Sequence, residues 1–186
     1  MKLIFLDIDG VLALMHKERD EFGSLFHPEF VDNLKSIIDA TEAKIVISST
    51  WRSDGLEKMQ EMWVKRGLPG EVIAITPFSQ HRFRGLEIKE YLYNNMQFQR
   101  INYSKKVQET YIETSKCKNY VILDDDSDMT YNQREHFVKC SCNFTHSDSL
   151  GGYGLTKQCA EQAIKILNAN VVDLYYSIHD CEELNN

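Results

Sequence analysis

Two carboxylates near the start of the chain are spaced for joint chemistry. Asp7 and Asp9 directly follow a short apolar run, Leu3 to Leu6, that is typical of a buried strand. In a parallel α/β sheet the carboxyl end of such a strand faces the ligand crevice, and residues two apart on an extended segment point the same way. Like charges this close repel, and a divalent cation with oxygen ligands offsets the repulsion. The pair therefore predicts a metal site, although an isolated Asp-x-Asp-Gly would also fit a simple turn.

A second group of acids follows a later apolar run, residues 120–123. Four carboxylates lie within five positions, at Asp124, Asp125, Asp126 and Asp128. A calcium loop of the EF-hand type is excluded because its glycine turn and its terminal glutamate are missing. We assign Asp126 to the loop and expect the other acids to join the site formed by the first strand.

A third polar group follows the β-branched run of residues 43–47. Hydroxyl residues beginning with Ser48 and Ser49 stand at the end of this predicted strand, and Arg52 comes shortly after them. Hydroxyl side chains are also good caps for the helix predicted to begin near Asp54, and we expect both roles.

Segments with helical periodicity separate these polar groups and must position them. Apolar residues at helical spacing follow Pro28, run from Leu56 to Gly67, and recur after Thr156, which would cap the last helix. A short strand is predicted over residues 72–76, and another over residues 136–144. Helices of this kind would cover the faces of a central sheet.

Composition limits the class of protein. A chain of 186 residues with 42% hydrophobic content suits one domain, which we expect to span residues 1–186. The net charge of −7 argues against general attraction to nucleic acid or to anionic lipid. No apolar run reaches the roughly 20 residues of a membrane helix, and the first strand is too short and too quickly acidic for a signal peptide. We therefore expect a cytoplasmic protein.

The five cysteines are odd in number and contain no Cys-x-x-Cys pair, which fits reduced thiols. One cluster of residues could instead bind zinc: His136, Cys140, Cys142 and His146. We disfavour it because these residues would be strung along one extended strand rather than folded around an ion.

Two polar segments are candidates for small caps or lids. Residues 13–26 lack clear periodicity and follow the first acidic pair. Residues 97–119 mix basic and aromatic side chains, which would suit contact with a nucleic-acid strand or a solvated helix.

Four stretches, in order, resemble the motifs of the haloacid dehalogenase (HAD) superfamily of phosphotransferases. They are Asp7-Ile8-Asp9-Gly10-Val11, Ser48-Ser49-Thr50-Trp51-Arg52, Arg84-Gly85-x-Glu87-Ile88 and Leu123-Asp124-Asp125-Asp126. The set is more narrowly similar to HAD domains associated with RNA repair. The resemblance implies an α/β fold, a Rossmann-like three-layer sandwich around a central parallel sheet, here with a small or minimal cap.

The resemblance also implies roles for individual residues. Asp7 would be the nucleophile and Asp9 the general acid and base, with Asp9 adding its backbone carbonyl to the metal ligands. Either Ser48, the first choice, or Ser49 would hold the phosphoryl group, and Arg52 would clamp its oxygens. The cation of the third motif would be Arg84, or else Lys89.

The implied metal is Mg²⁺, bound by Asp7 and by the second acidic group. Within that group the motif fits either the pair Asp124 and Asp125 or the pair Asp124 and Asp128.

The expected function is therefore a phosphomonoesterase that works through an aspartyl phosphate. The narrower resemblance and the basic-aromatic segment favour a 3′-phosphate on a nucleic-acid end as substrate, and small phosphate esters or nucleotides are the alternative. A module that binds phosphate or nucleic acid without turnover is the rival from another class, but it predicts losses among the catalytic acids, and all of them are present.

Overall fold

A computed structural model describes residues 1–14, 18–79, 82–95, 117, 119–140 and 154–169. The predicted lid at 97–119 lies outside these residues except for Cys117 and Asn119, and so do Cys142 and His146 of the disfavoured zinc cluster.

The centre of the molecule is a sheet in which every neighbouring pair of strands is parallel. Its strands lie in the order β5-β4-β1-β6-β7, so β1, with the first acidic pair at its end, is central. The strands are β1 (Lys2–Leu6), β4 (Lys44–Ile47), β5 (Val72–Ile75), β6 (Asn119–Asp124) and β7 (Phe137–Lys139). The carboxyl ends of these strands meet at one edge of the sheet, where the predicted site should lie.

Alternating side chains of the strands divide the core between the two faces of the sheet. On one face, strand residues such as Leu6 and Leu123 pack with α1 (Pro28–Thr41), α2 (Leu56–Lys65) and α4 (Lys157–Asn168). On the other face, Phe5 and Ile122 pack with α3 (Arg84–Asn95). The arrangement is a helix-sheet-helix sandwich, which confirms the predicted fold class.

The sequence missed two short 3-10 helices and misjudged one strand. A 3-10 helix, Thr50–Asp54, lies between β4 and α2, and the side chain of Ser49 caps it by accepting from the backbone N–H of Trp51. A second 3-10 helix, Tyr131–His136, precedes β7. The strand predicted to begin at His136 therefore begins one residue later, because His136 is the last residue of that helix.

A two-stranded antiparallel hairpin lies within the segment predicted as a small lid. It pairs β2 (Arg19–Asp20) with β3 (Gly23–Ser24). Two side-chain bonds attach it to α2: the guanidinium of Arg66 donates to both carboxylate oxygens of Asp20 at 2.9 and 2.6 Å. The hairpin is thus anchored beside the carboxyl edge of the sheet.

Candidate active site

Parallel pairing of β1 with β6 brings the two acidic groups together. Leu6 is in register with Leu123, and the backbone N–H of Asp7 donates to the carbonyl of Leu123 at 3.0 Å. One carboxylate oxygen each from Asp7, Asp124 and Asp125 lie within 4.8 Å of one another. Asp7 is 6% and Asp124 1% exposed, so two of these three charges lie almost out of solvent.

Arg84 lies across this carboxylate cluster. Its Nη1 donates to Asp7 Oδ1 and to Asp124 Oδ2, each at 2.9 Å. One guanidinium nitrogen therefore bridges the ends of two neighbouring strands. Lys89, the other candidate for this cation, follows five residues later on α3 and takes no part in these bonds.

The first turn of α3 is held against the loop after β6, and this fixes the position of Arg84. Asp128 Oδ2 accepts from the backbone N–H of Arg84 at 2.9 Å, and the Asp128 carbonyl accepts from that of Gly85 at 3.1 Å. A Cβ on Gly85 would lie 2.6 Å from the backbone N of Thr130, so only glycine allows this approach. Among the described residues Asp128 is not one of the clustered acids, so the geometry favours Asp125 over Asp128 as the partner of Asp124.

Burial raises the pKa values of both strand-end acids. The pKa of Asp7 rises for this reason although Arg84 lowers it in part. Burial and the charge on Asp7 together raise the pKa of Asp124 to about 8. For Arg84 burial acts in the opposite direction, but the charges on Asp124 and Asp7 outweigh it and raise its pKa. One guanidinium faces three clustered carboxylates, and the raised pKa values mean that ionisation of all three is unfavourable unless a further cation binds.

The two candidate serines, Ser48 and Ser49, are both buried after the end of β4. A side-chain hydrogen bond with the Ser49 hydroxyl is among the contacts that lower the pKa of Asp7. Ser48 is also fully buried, and its Oγ has no hydrogen-bond partner among the described residues. Ser49 is therefore the serine that interacts with Asp7, and the choice between Ser48 and Ser49 as the phosphate-binding hydroxyl stays a prediction.

Asp9 lies apart from the buried cluster. Its side chain is exposed, and its Oδ2 accepts from the indole Nε1 of Trp51 at 2.8 Å. Strand β1 ends at Leu6, so the alternation that would aim Asp7 and Asp9 at the same point does not extend this far. After Asp9 the chain turns at Gly10, where φ is +76° and a Cβ would lie 2.2 Å from Asp125 Oδ2. Only glycine fits both the backbone and this contact.

Arg52 does not have the geometry of a phosphate clamp, and that prediction needs correction. The side chain is 2% exposed, and all five of its N–H donors have protein acceptors. The acceptors are the carbonyls of Ser48, Ser49, Thr76 and Pro77 and the carboxylate of Glu87. Arg52 thus holds together the segments that follow β4 and β5 and the first turn of α3, with no donor left for a substrate.

A family model described as "HAD domain in Swiss Army Knife RNA repair proteins" matches residues 3–146. The chain belongs to this family. The match covers more than half of the chain and all four motifs, and it confirms both the HAD resemblance and its association with RNA repair. Searches of curated proteins and of solved structures gave no match.

Sequence reasoning missed two contacts that shape the site of this HAD domain. Trp51 was given no role, but its indole donates to Asp9 across 42 positions in the chain. Glu87 was not assigned at all, yet it is 2% exposed and pairs with Arg52. The signal for Glu87 was an acid in an otherwise basic and apolar stretch, residues 82–89.

The described part of the disfavoured zinc cluster has other contacts in the HAD domain. The ring of His136 stacks on Tyr120 at 4.1 Å, and its Nδ1 lies 2.9 Å from the Tyr120 carbonyl. The thiol of Cys140 is buried and free. A side-chain hydrogen bond with Cys140 lowers the pKa of the free thiol of Cys159 to about 6. Among the described residues, the acids at Asp7, Asp124 and Asp125 form the one group with metal-ligand spacing. No helix in the described part of the chain is long and apolar enough to cross a membrane.

Proposed function

We propose that this HAD domain is a Mg²⁺-dependent phosphomonoesterase that acts through an aspartyl phosphate on Asp7 and removes a 3′-phosphate from nucleic-acid ends. The observation that supports this proposal most is the surroundings of Asp7. Its carboxylate is buried beside a cation, two further acids and a hydroxyl, and a second, exposed acid follows two residues later.

In this proposal Asp7 attacks phosphorus, and the bond from phosphorus to the leaving oxygen breaks. A carboxylate nucleophile divides the hydrolysis into two steps, each with a lower barrier. Asp9 protonates the leaving oxygen and then takes a proton from the water that hydrolyses the aspartyl phosphate. Asp9 is ionised after the first step, so it can accept the proton of that water in the second step and is protonated again for the next cycle.

Arg84 and Ser49 would contact the oxygens of the transferring phosphoryl group. Phosphoryl transfer depends mainly on positioning and on the neutralisation of oxygen charges. Arg84 already bridges Asp7 and Asp124, so a phosphoryl group on Asp7 would lie within reach of its remaining donors.

Asp7, Asp124 and Asp125 would hold Mg²⁺, since three clustered carboxylates form an all-oxygen set that fits a hard cation. The ion would neutralise charge on the phosphoryl oxygens. This role is separate from that of Arg84, which neutralises the same cluster from the side of α3.

A nucleic-acid end is the proposed substrate because the family is defined by RNA repair proteins. The choice of the 3′ end rests on the motif resemblance. The net charge of −7 opposes general electrostatic binding of a polyanion. We therefore expect the protein to recognise the end of the nucleic acid and not its length.

The test is phosphate release from a 3′-phosphorylated oligonucleotide, a 5′-phosphorylated one, mononucleotides and an aryl phosphate, each with Mg²⁺ and with a chelator. We expect metal-dependent release with preference for the 3′ end. Asp7→Asn should lower turnover by about 10⁴-fold or more, since the amide is not a nucleophile. The matched control is Asp39→Asn on the exposed face of α1.

Three results would contradict the proposal or a part of it. Retained turnover in Asp7→Asn would exclude the aspartyl-phosphate mechanism. Release from small esters alone would keep the mechanism but replace the nucleic-acid substrate, and a folded protein without any release would favour the binding module.

A further inference from the structure

A cavity of about 440 Å³ opens beside Asp9, on the side away from the buried cluster. The hairpin of β2 and β3 forms one wall, and the 3-10 helix with the first turn of α2 forms the other. Binding pockets for small molecules usually measure roughly 300–1,000 Å³, so the space is large enough for more than water or a simple alcohol.

The position of the cavity identifies which part of a substrate it would receive. Asp9 lines it, whereas Asp7 and Ser49 do not. A general acid must contact the oxygen that leaves, so the group attached to that oxygen lies on the Asp9 side of phosphorus. The cavity is therefore on the leaving-group side of the proposed reaction.

The wall formed by the hairpin is fixed before any substrate arrives. Besides the paired bonds from Arg66 to Asp20, Lys65 pairs with Glu21 at 2.9 Å. A Cβ on Gly23 would lie 2.9 Å from Cη2 of Trp51, so the hairpin lies directly on the indole. The same indole donates to Asp9, and this joins the cavity wall to the proposed general acid.

The lining combines aromatic rings with charges of both signs. Phe22 and Trp51 contribute rings, Arg19 and Lys58 contribute positive charge, and Asp9, Glu21 and Asp54 are the acids. The Lys58 ammonium lies 4.8 Å from the centre of the Phe22 ring and pairs with Glu61 at 2.9 Å, and these contacts keep it at the wall. Aromatic groups and cations together suit a nucleotide, because the rings contact a base and the cations contact the next phosphodiester.

We propose that this cavity is the subsite for the terminal nucleoside and the adjoining phosphodiester of a single-stranded nucleic-acid end. The inference rests on the proposed function, since it takes Asp9 as the acid that protonates the leaving oxygen. In this subsite Arg19 and Lys58 bind the phosphodiester, and Trp51 both lines the wall and positions Asp9.

The first experiment measures product binding, which requires no turnover. A fluorescent oligoribonucleotide with a free 3′-hydroxyl is titrated against the wild type and against Arg19→Ala/Lys58→Ala, with anisotropy as the readout. We expect the Kd to rise about tenfold in the double variant, and the slope of log K against log salt to fall by about one for each cation. The matched control is Lys35→Ala/Lys44→Ala, which removes two exposed lysines distant from the cavity and should bind like the wild type.

The second experiment compares substrates. In Arg19→Ala/Lys58→Ala, the ratio of kcat/KM for a 3′-phosphorylated oligonucleotide to that for an aryl phosphate should fall about tenfold, since an aryl ester does not extend to the phosphodiester position. The subsite is excluded if the double variant has the kcat/KM ratio or the Kd of the wild type. It is also excluded if the control variant loses affinity to the same extent, or if the wild type binds no product.

The two proposals fail in different ways. If the wild type binds product through Arg19 and Lys58 but releases no phosphate from any substrate, the subsite stands and the phosphatase function fails. If phosphate is released and the double variant binds and discriminates like the wild type, the function stands and the subsite fails.

Discussion

Arg84 and Arg52 lie in two regions at the carboxyl edge of the sheet and serve different purposes. Arg84 contacts two carboxylates of the buried cluster through a single nitrogen. Arg52 contacts four backbone carbonyls and the carboxylate of Glu87, which uses all of its donors. The first region concentrates negative charge around one cation, whereas the second pairs one cation with one anion in a saturated network.

The pKa shifts of the two arginines also differ, and they have opposite directions. Burial lowers the pKa of Arg52, with the charge on Glu87 opposing this effect. At Arg84, burial is outweighed by the charges on Asp124 and Asp7, and the pKa rises. Among the described residues the side chain of Arg84 bonds through one nitrogen, which leaves donors for a further anion, whereas Arg52 has every donor occupied and can only hold structure. The acceptors therefore distinguish the two arginines, even though both stand in stretches that resemble HAD motifs.

The largest effect is expected from removing the cation of the first region. Arg84→Met should lower kcat by about 10²–10³-fold, because a donor to the transferring phosphoryl group is lost. Single-turnover and steady-state rates of phosphate release would measure it, with Arg134→Met on the exposed 3-10 helix as control. A rate within threefold of the wild type would show that Arg84 neutralises the resting cluster and contributes nothing in the transition state.

The second region should respond in stability. Arg52→Met leaves Glu87 and four carbonyls without their donor in a buried setting, and the free energy of unfolding should fall by about 3–5 kcal/mol. Urea denaturation would measure it, with Arg134→Met again as control. In the double variant Arg52→Met/Glu87→Leu the loss should be smaller than the sum of the single losses, since no unpaired charge remains. A loss below about 1 kcal/mol in Arg52→Met would mean that water replaces the network at little cost.

The sequence was sufficient to predict the fold and the meeting of the two acidic groups. Apolar runs that end in acids specify buried parallel strands, and the parallel register of β1 with β6 then places Asp7 next to Asp124. The choice of Arg84 came from the resemblance to the third HAD motif, and the structure places its guanidinium against both strand-end acids. These features depend on short sequence motifs and on the rule that the carboxyl ends of parallel strands meet at one edge of the sheet.

The remaining features depend on contacts between distant segments that no local pattern encodes. The acceptors of Arg52 come from three separate segments, and Glu87 is 35 positions away. The bond from Trp51 to Asp9 spans 42 positions and depends on how the 3-10 helix after β4 is oriented. Which of the two adjacent serines interacts with Asp7 depends on how each hydroxyl is oriented after the strand ends, and the sequence gives no signal for that.

The smallest effect is expected from a third arginine, Arg66, whose bidentate pair with Asp20 lies at the surface. The hydrogen bond from Arg66 lowers the pKa of Asp20 from 3.8 to about 2. A carboxyl whose folded pKa is depressed stabilises the fold above its unfolded pKa, and this contribution is lost as the pH falls from about 4 to about 2. Because the Asp20 side chain is 32% exposed and solvent screens its charge, Asp20→Asn should cost less than about 1 kcal/mol at pH 7. Urea denaturation at pH 7 and at pH 2.5 should show the difference from wild type shrinking in acid. Equal destabilisation at both values would mean that Asp20 acts through its hydrogen bonds to the hairpin backbone rather than through its charge.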